Sequence, residues 1–294
     1  MGLTVHLVDG TYELFRHHYG LPAAARAAGS RTAATRGVLG TVLSMLEQGA
    51  THVGVATDHV IESFRNDLWP GYKDGSGVEP DLKAQFEPLE EALDAMGVVV
   101  WPMVHLEADD ALASAAAVAA ADPDVEQVVI CTPDKDLGQC VRSDRVVQLD
   151  RRRDILLDEA GVVAKFGVPP ASIPDFLALV GDSADGFPGL RGWGAKAAAA
   201  VLARYRHIEE IPRLGERWNV DVRGARSLAN TLAEQFDRAL LFRDLATLRV
   251  ERALLPSVDD LRWTGPLPGF DAVAEALGAP GLADRAAALA LPST

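Results

Sequence analysis

Short, continuous apolar runs alternate with amphipathic stretches along the first half of the chain. Thr4–Val8, Thr51–Thr57 and Gln127–Thr132 are β-branched and apolar, the pattern of strands buried on both faces of a parallel sheet. Val98–Trp101 reads as a further strand. Between these runs the apolar positions shift to helical spacing. Val38, Val42, Leu43 and Leu46 mark Gly37–Glu47; Phe86, Leu89, Leu93 and Met96 mark Leu82–Met96; a third helix is expected over Ala108–Ala121. Strand–helix alternation predicts a three-layer α/β fold, a parallel sheet flanked by helices with right-handed crossovers. Val146–Asp158 (VVQLDRRRDILLD) reads as a hairpin with Arg151, Arg152 and Arg153 at a solvated turn. Farther on the patterns are helical: Ile173–Val180, and a stripe of Leu228, Leu232, Phe236 and Leu240 suited to a core. The expected organisation is an α/β core over 1–170, with a Gly/Pro-bearing segment at about 60–90, and a helical region over 171–294.

An apolar share of 48% in 294 residues supports a substantial core. The net charge of −14 speaks against a nucleic-acid partner until its distribution is considered. From Gly186 to Arg252 there are twelve Lys/Arg against eight Asp/Glu, a local balance of +4 that leaves −18 on the remainder. Cys131 and Cys140 lack the close spacing of a zinc site and read as reduced, mostly buried thiols. The N-terminus has no basic stretch leading into an apolar one, and the apolar run at Ala111–Ala121 is too short to cross a bilayer. A cytoplasmic protein with no membrane partner is expected.

The chemistry lies in the acids placed just after each strand. Asp9 comes after the first and Asp58 after the second; Val98–Trp101 leads to Glu107, Asp109 and Asp110; Asp134 and Asp136 come after QVVICT. One aspartate after a strand is an ordinary helix cap. Seven acids directed to the carboxyl edge of a parallel sheet, where such sheets bind ligands, would repel one another unless cations neutralise them. Oxygen-only ligands point to hard ions, Mg²⁺ or Mn²⁺. Glu107 and Asp110, three apart on one helix start, can face one side. Lys135 sits between Asp134 and Asp136 and can offset charge or touch a phosphate. Asp182 and Asp185, in GDSADG, can complete a second ion's shell, as in two-ion phosphodiester cleavage. The LVDGT stretch at Leu7–Thr11 also suits a phosphatase in which an aspartate attacks phosphorus, but that motif needs an acid where Leu7 stands.

In order, LVDGT, ATDHVIESFRNDLWPGYK, LEADDALAS, TPDKDLGQC and GDSADGFPGLRGWGAKAA resemble the 5′-nuclease family: bacterial and phage 5′→3′ exonucleases, the N-terminal nuclease domain of DNA polymerase I, and flap endonucleases. The resemblance implies a PIN-like fold. It also implies that Asp9, Asp58, Glu107, Asp109 and Asp110 serve one Mg²⁺, and that Asp134, Asp136, Asp182 and Asp185 serve a second, with Mn²⁺ able to substitute. The segment after Asp58 resembles the family's arch over a single-stranded 5′ end, with Arg65 and Lys73 at the scissile phosphate. Tyr72 is suited to stack on a base, Arg16 to contact phosphate, and Lys83 to lie farther along the arch.

Two departures stand out. Asp74, Gly75 and Ser76 come after Tyr72–Lys73 where the family often has more basic residues. Gly186 stands where the acidic motif often ends in Asn, which is expected to alter a bond beside the site and to leave the ligands in place. GLRGWGAKAAAAVLARY is preceded by no predicted strand, so a dinucleotide loop fails on context. A helix–hairpin–helix at about 173–205 fits it, with Gly189, Gly192 and Gly194 letting backbone approach phosphates and Lys196 binding them. In the family this element holds duplex DNA, commonly with K⁺, and Trp193 is expected to pack as core. The implied activity is a stand-alone, monomeric 5′→3′ exonuclease or flap endonuclease that hydrolyses DNA near junctions of duplex and 5′ single strand. The alternatives are a DNA-structure-binding protein with weakened catalysis and, less well supported, a small-molecule phosphatase.

Overall fold

The structure is a computed structural model and describes residues 2–22 and 31–290. It divides into two compact units: Met1–Ile61, Gly75–Thr132 and Val250–Thr294 form one, Glu62–Asp74 and Pro133–Arg249 the other.

The first unit holds four parallel strands, β1 (Leu3–Asp9), β2 (His52–Asp58), β3 (Val99–Met103) and β4 (Val125–Cys131), in the order β3-β2-β1-β4. Val5 is opposite His52 and Leu7 opposite both Gly54 and Ile130, so β1 is central and its Val5, Leu7 and Val8 are fully buried. The chain moves outward from β1 to β2 and β3, then crosses back to β4. The end of β1 is therefore a topological switch point, where open α/β sheets leave a crevice for ligands. The helix Ala108–Ala119 packs against all four strands. Its buried Ala111, Ala113, Ala115, Ala116 and Ala119 keep the helix close to the sheet. The described residues from Val250 to Ala290 belong to this unit. Trp263 N–H donates to the Thr51 carbonyl (2.9 Å), Trp263 Nε1 to the Met96 carbonyl (2.9 Å), and Arg285 pairs with Glu47.

The second unit contains the expected hairpin, an antiparallel pair of β5 (Val146–Asp150) and β6 (Ile155–Leu157). The amides of Arg152 and Arg153 both donate to Asp150 Oδ1 (3.1 Å), and Asp154 takes a positive φ of 55° that closes the turn. The parallel pattern thus holds for the first unit only. The helices Glu159–Phe166, Ile173–Val180, Ala195–Tyr205, Ala225–Glu234 and Phe236–Ala246 surround a core of Ile173, Phe176, Val201, Leu202, Phe242 and Leu245. The apolar stripe expected from Leu228 to Leu240 is interrupted. Gln235 leaves helical geometry (φ −119°, ψ 30°), so Leu228 and Leu232 belong to one helix, and the next buries Phe242 and Leu245, with Phe236 and Leu240 half-buried against the same core. Trp193 is core, as expected, its ring 5.8 Å from that of Trp218. Both cysteines are free thiols. Among the described residues no single helix is long and apolar enough to cross a membrane.

Candidate metal centre and nucleic-acid interface

In the first unit the DGT motif resolves into three separate tasks. Asp9 ends β1 and caps the helix Gly10–Gly20: Oδ1 accepts from Tyr12 N–H (2.8 Å), and Oδ2 accepts from the Thr132 hydroxyl (2.9 Å). Gly10 has no room for a side chain, because a Cβ would lie 2.8 Å from Val55 Cγ1 and 2.9 Å from the Ala56 carbonyl oxygen. Thr11 Oγ1 accepts from the Asp58 amide (2.7 Å), tying the end of β2 to the same helix start. Asp58 Oδ1 in turn accepts from Ala108 N–H (2.7 Å), next to Glu107 and Asp109. Glu107 N–H donates to Asp110 Oδ2 (2.9 Å), one half of a capping box that buries both acids. Asp110 therefore turns back over the helix start. Short polar contacts thus fix Asp9, Asp58, Glu107 and Asp110 near the carboxyl edge of β1 and β2, and Asp109 lies between the last two in the first turn of the same helix.

The second unit carries the other four. Asp136, Asp182 and Asp185 each bring one carboxylate oxygen within 4.8 Å of the others, and all three residues are buried. Asp182 and Asp185 lie in a loop closed by Asp182 N–H to the Phe187 carbonyl (2.8 Å) and Phe187 N–H to the Asp182 carbonyl (3.0 Å). Asp182 Oδ1 accepts from Ala184 N–H (3.0 Å), and Oδ2 is 2.6 Å from Lys135 Nζ. Lys73 Nζ is 3.1 Å from Asp185 Oδ1. Asp134 is exposed, and its Oδ1 accepts from the Asp136 amide (3.0 Å).

Asp136 is the outlier. It is 5% exposed and its Oδ1 has no hydrogen-bond partner. Burial, then the charges of Asp134, Asp185 and Asp182, push its carboxyl well above the usual aspartate range, with Lys135 opposing them. Burial alone would lower Lys135, but its bond to Asp182 and the surrounding carboxylates hold it above the ordinary lysine value. A buried, unpartnered carboxylate oxygen facing two more carboxylates is a costly arrangement in the absence of a cation. The donor set fits a hard divalent ion.

The expected DNA contacts separate on burial. Gly192, Gly194 and Lys196 are exposed at the start of the helix Ala195–Tyr205, whose N-cap Gly194 makes no side-chain cap bond, leaving first-turn amides for an anion. Gly189 is different. It is buried at φ +68°, and a Cβ there would sit 2.4 Å from the Gly181 nitrogen, so this position packs tightly within the hairpin. Tyr72 is also a core residue, 5% exposed, with no open face for a base. Arg65 is 1% exposed; its Nε donates to the Leu245 carbonyl (2.8 Å) and an Nη to that of Thr247 (3.2 Å). In this conformation the Arg65 guanidinium is not open to a phosphate. Arg16 pairs with Glu13, and Lys83 is exposed at the end of the short helix Pro80–Lys83.

Similarity to known proteins agrees with this geometry. Residues 4–167 match the 5′-3′ exonuclease N-terminal resolvase-like domain, and 168–268 match the 5′-3′ exonuclease C-terminal SAM fold. This chain belongs to the 5′-3′ exonuclease family. It is 32% identical over 217 residues to the 5′-3′ exonuclease of Aquifex aeolicus, covering 73% of this chain and 74% of that one. It is 35% identical over 266 residues to DNA polymerase I of Pseudomonas aeruginosa, covering 87% of this chain but 28% of that protein. Among solved structures, zinc-bound T5 5′-exonuclease is similar with a TM-score of 0.67 at 15% identity, covering 97% of this chain and 98% of that one. Flap endonuclease-1 of Methanococcus jannaschii is similar with a TM-score of 0.59 at 16% identity, covering 98% and 92%.

The supporting roles of Thr11 and Thr132 are not singled out by the sequence pattern. Thr11 carries the one available signal, since it completes the DGT motif. Thr132 looks ordinary until its bond to Asp9 is known.

Proposed function

We propose that this 5′-3′ exonuclease family member hydrolyses DNA phosphodiester bonds near junctions of duplex and 5′ single strand, as a Mg²⁺-dependent monomeric enzyme of the cytoplasm. The observation that carries the reading is the unpartnered, buried Asp136 Oδ1 among the carboxylates of Asp182 and Asp185. Support for a metal comes also from the divalent ions in T5 5′-exonuclease, and for DNA from the Rad2 catalytic core in complex with DNA.

Asp9, Asp58, Glu107, Asp109 and Asp110 would hold one ion, and Asp134, Asp136, Asp182 and Asp185 a second. Bound divalent ions supply Lewis acidity for water activation and for the charge on the phosphate. The chain's own residues do the rest. Thr132 and Tyr12 N–H orient Asp9, and Thr11 and Ala108 N–H fix Asp58 on either side. Lys73, a quarter exposed, supplies a mobile cation to the scissile phosphate. Arg65 serves as a buried charge fixed on the Leu245 and Thr247 carbonyls. Gly192, Gly194 and Lys196 hold the duplex backbone, with K⁺ on the hairpin carbonyls, in keeping with the basic balance of residues 186–252.

The test is to incubate the protein and Mg²⁺ with 5′-labelled flap, nicked duplex and hairpin substrates, and to size the products. Cleavage near the junction is expected, and Asp109→Ala and Asp134→Ala should each abolish it while leaving DNA binding. Near-normal turnover by either variant would overturn the two-ion reading.

A further inference from the structure

The carboxylates of the second unit are already partly neutralised by the chain itself. Lys135 Nζ lies 2.6 Å from Asp182 Oδ2, and Lys73 Nζ lies 3.1 Å from Asp185 Oδ1. Four carboxylates, Asp134 included, and the two ammonium groups leave a formal charge of about −2, against −4 for the carboxylates alone. A dication added beside both lysines would leave no net negative charge to hold them. Both oxygens of Asp182 are engaged, Oδ1 by Ala184 N–H and Oδ2 by Lys135. Of these two donors the amide belongs to the closed loop of Asp182–Phe187 and cannot leave without opening it. Lys135 sits on a flexible four-carbon stem, and its side chain is 33% exposed, so a path to solvent exists.

Resting on the metal reading proposed for this site, we infer that Lys135 is a resident counter-cation of the Asp136–Asp182–Asp185 triad, which holds Asp182 until a divalent cation binds and then gives it up. Lys135 thereby stabilises the metal-free protein and weakens metal binding, so it tunes the cation concentration at which the site loads. It is a positioning residue for the carboxylates. Its location between Asp134 and Asp136 places the competing charge at the ligands themselves. Lys73 stands in the same relation to Asp185, so loading would also free its ammonium for a phosphate.

The experiment uses the full chain stripped with chelator, titrated with Mn²⁺ by calorimetry and melted with and without Mn²⁺, for wild type, Lys135→Met and Lys135→Arg. Methionine keeps the unbranched stem and removes the charge. The expected result for Lys135→Met is a lower melting midpoint in chelator and Mn²⁺ binding tighter by on the order of tenfold, with a larger stabilisation by Mn²⁺ than wild type shows. Lys135→Arg should retain wild-type-like affinity. Unchanged or weaker Mn²⁺ binding by Lys135→Met overturns the inference and leaves the metal reading standing. So does an arginine variant that behaves like the methionine one. A wild-type protein that binds no Mn²⁺ overturns both.

Discussion

Gly71 and Gly186 meet backbone to backbone: a Cβ on Gly186 would lie 2.0 Å from the Gly71 carbonyl oxygen. Gly186 also takes a φ of +82°, and its carbonyl accepts from Trp69 Nε1 (3.0 Å). The next contact along is Lys73 N–H to the Asp185 carbonyl (3.0 Å). The glycine that replaces the family's frequent Asn is thus what lets the Trp69–Lys73 segment seat against the carboxylate loop. Gly186→Asn should destabilise the protein by about 1–3 kcal/mol through crowding and left-handed backbone strain. Denaturant unfolding checks this; a stability equal to wild type would mean that Gly71 yields without cost.

Thr132 offers a way to disturb Asp9 without removing it. Thr132→Val keeps the shape and deletes the hydroxyl that Asp9 Oδ2 accepts from. Metal affinity should fall by roughly tenfold or more, with the melting temperature in chelator changing little. Calorimetric titration with Mn²⁺ reads the effect.

Arg243 binds both oxygens of Glu209 (2.6 Å each) and reaches buried Asp175 (3.2 Å), which also accepts from Ile208 N–H and pairs with His207. The Arg243 hydrogen bonds hold the Glu209 carboxyl below its usual 4.5, so this pair's stabilisation is present above that value and lost as pH falls through the lowered one. Arg243→Leu should destabilise at neutral pH by about 2 kcal/mol, mainly by stripping a charged donor from Asp175. It should also flatten the loss of stability below pH 4.5. Urea midpoints at neutral and acid pH test both halves.

Lys196→Ala should weaken duplex binding about equally for unrelated sequences and reduce the salt dependence by roughly one unit of slope. Binding isotherms across a salt series measure this. A loss confined to particular sequences would move Lys196 from phosphate to base contact.

Lys73→Ala should slow single-turnover cleavage by on the order of a hundredfold, with a much smaller change in flap affinity. Its ammonium rests on Asp185 and would meet the phosphate only as charge develops there. Lys83→Ala, at the end of its own short helix, should do less. Single-turnover rates beside equilibrium binding separate these outcomes.

The sequence by itself determined the four parallel strands, the hairpin, the helix starting at Ala108 and the acids placed after each strand. These are local matters: β-branched runs make strands, and a residue's place after a strand fixes the edge on which it emerges. Tertiary structure decided which of these side chains are covered. Asp134 and Asp136 are two residues apart in one motif, yet one is exposed and the other buried with an unpartnered oxygen. Gly189 and Gly192 share a hairpin and a positive φ, but one packs against Gly181 while the other stays exposed. Tyr72 and Lys73 are adjacent, one in the core and the other paired with Asp185. Burial depends on segments far along the chain, such as Leu245 and Thr247 beside Arg65 or Gly186 beside Gly71. The position of such partners is set by close packing across the folded chain, which no local pattern encodes.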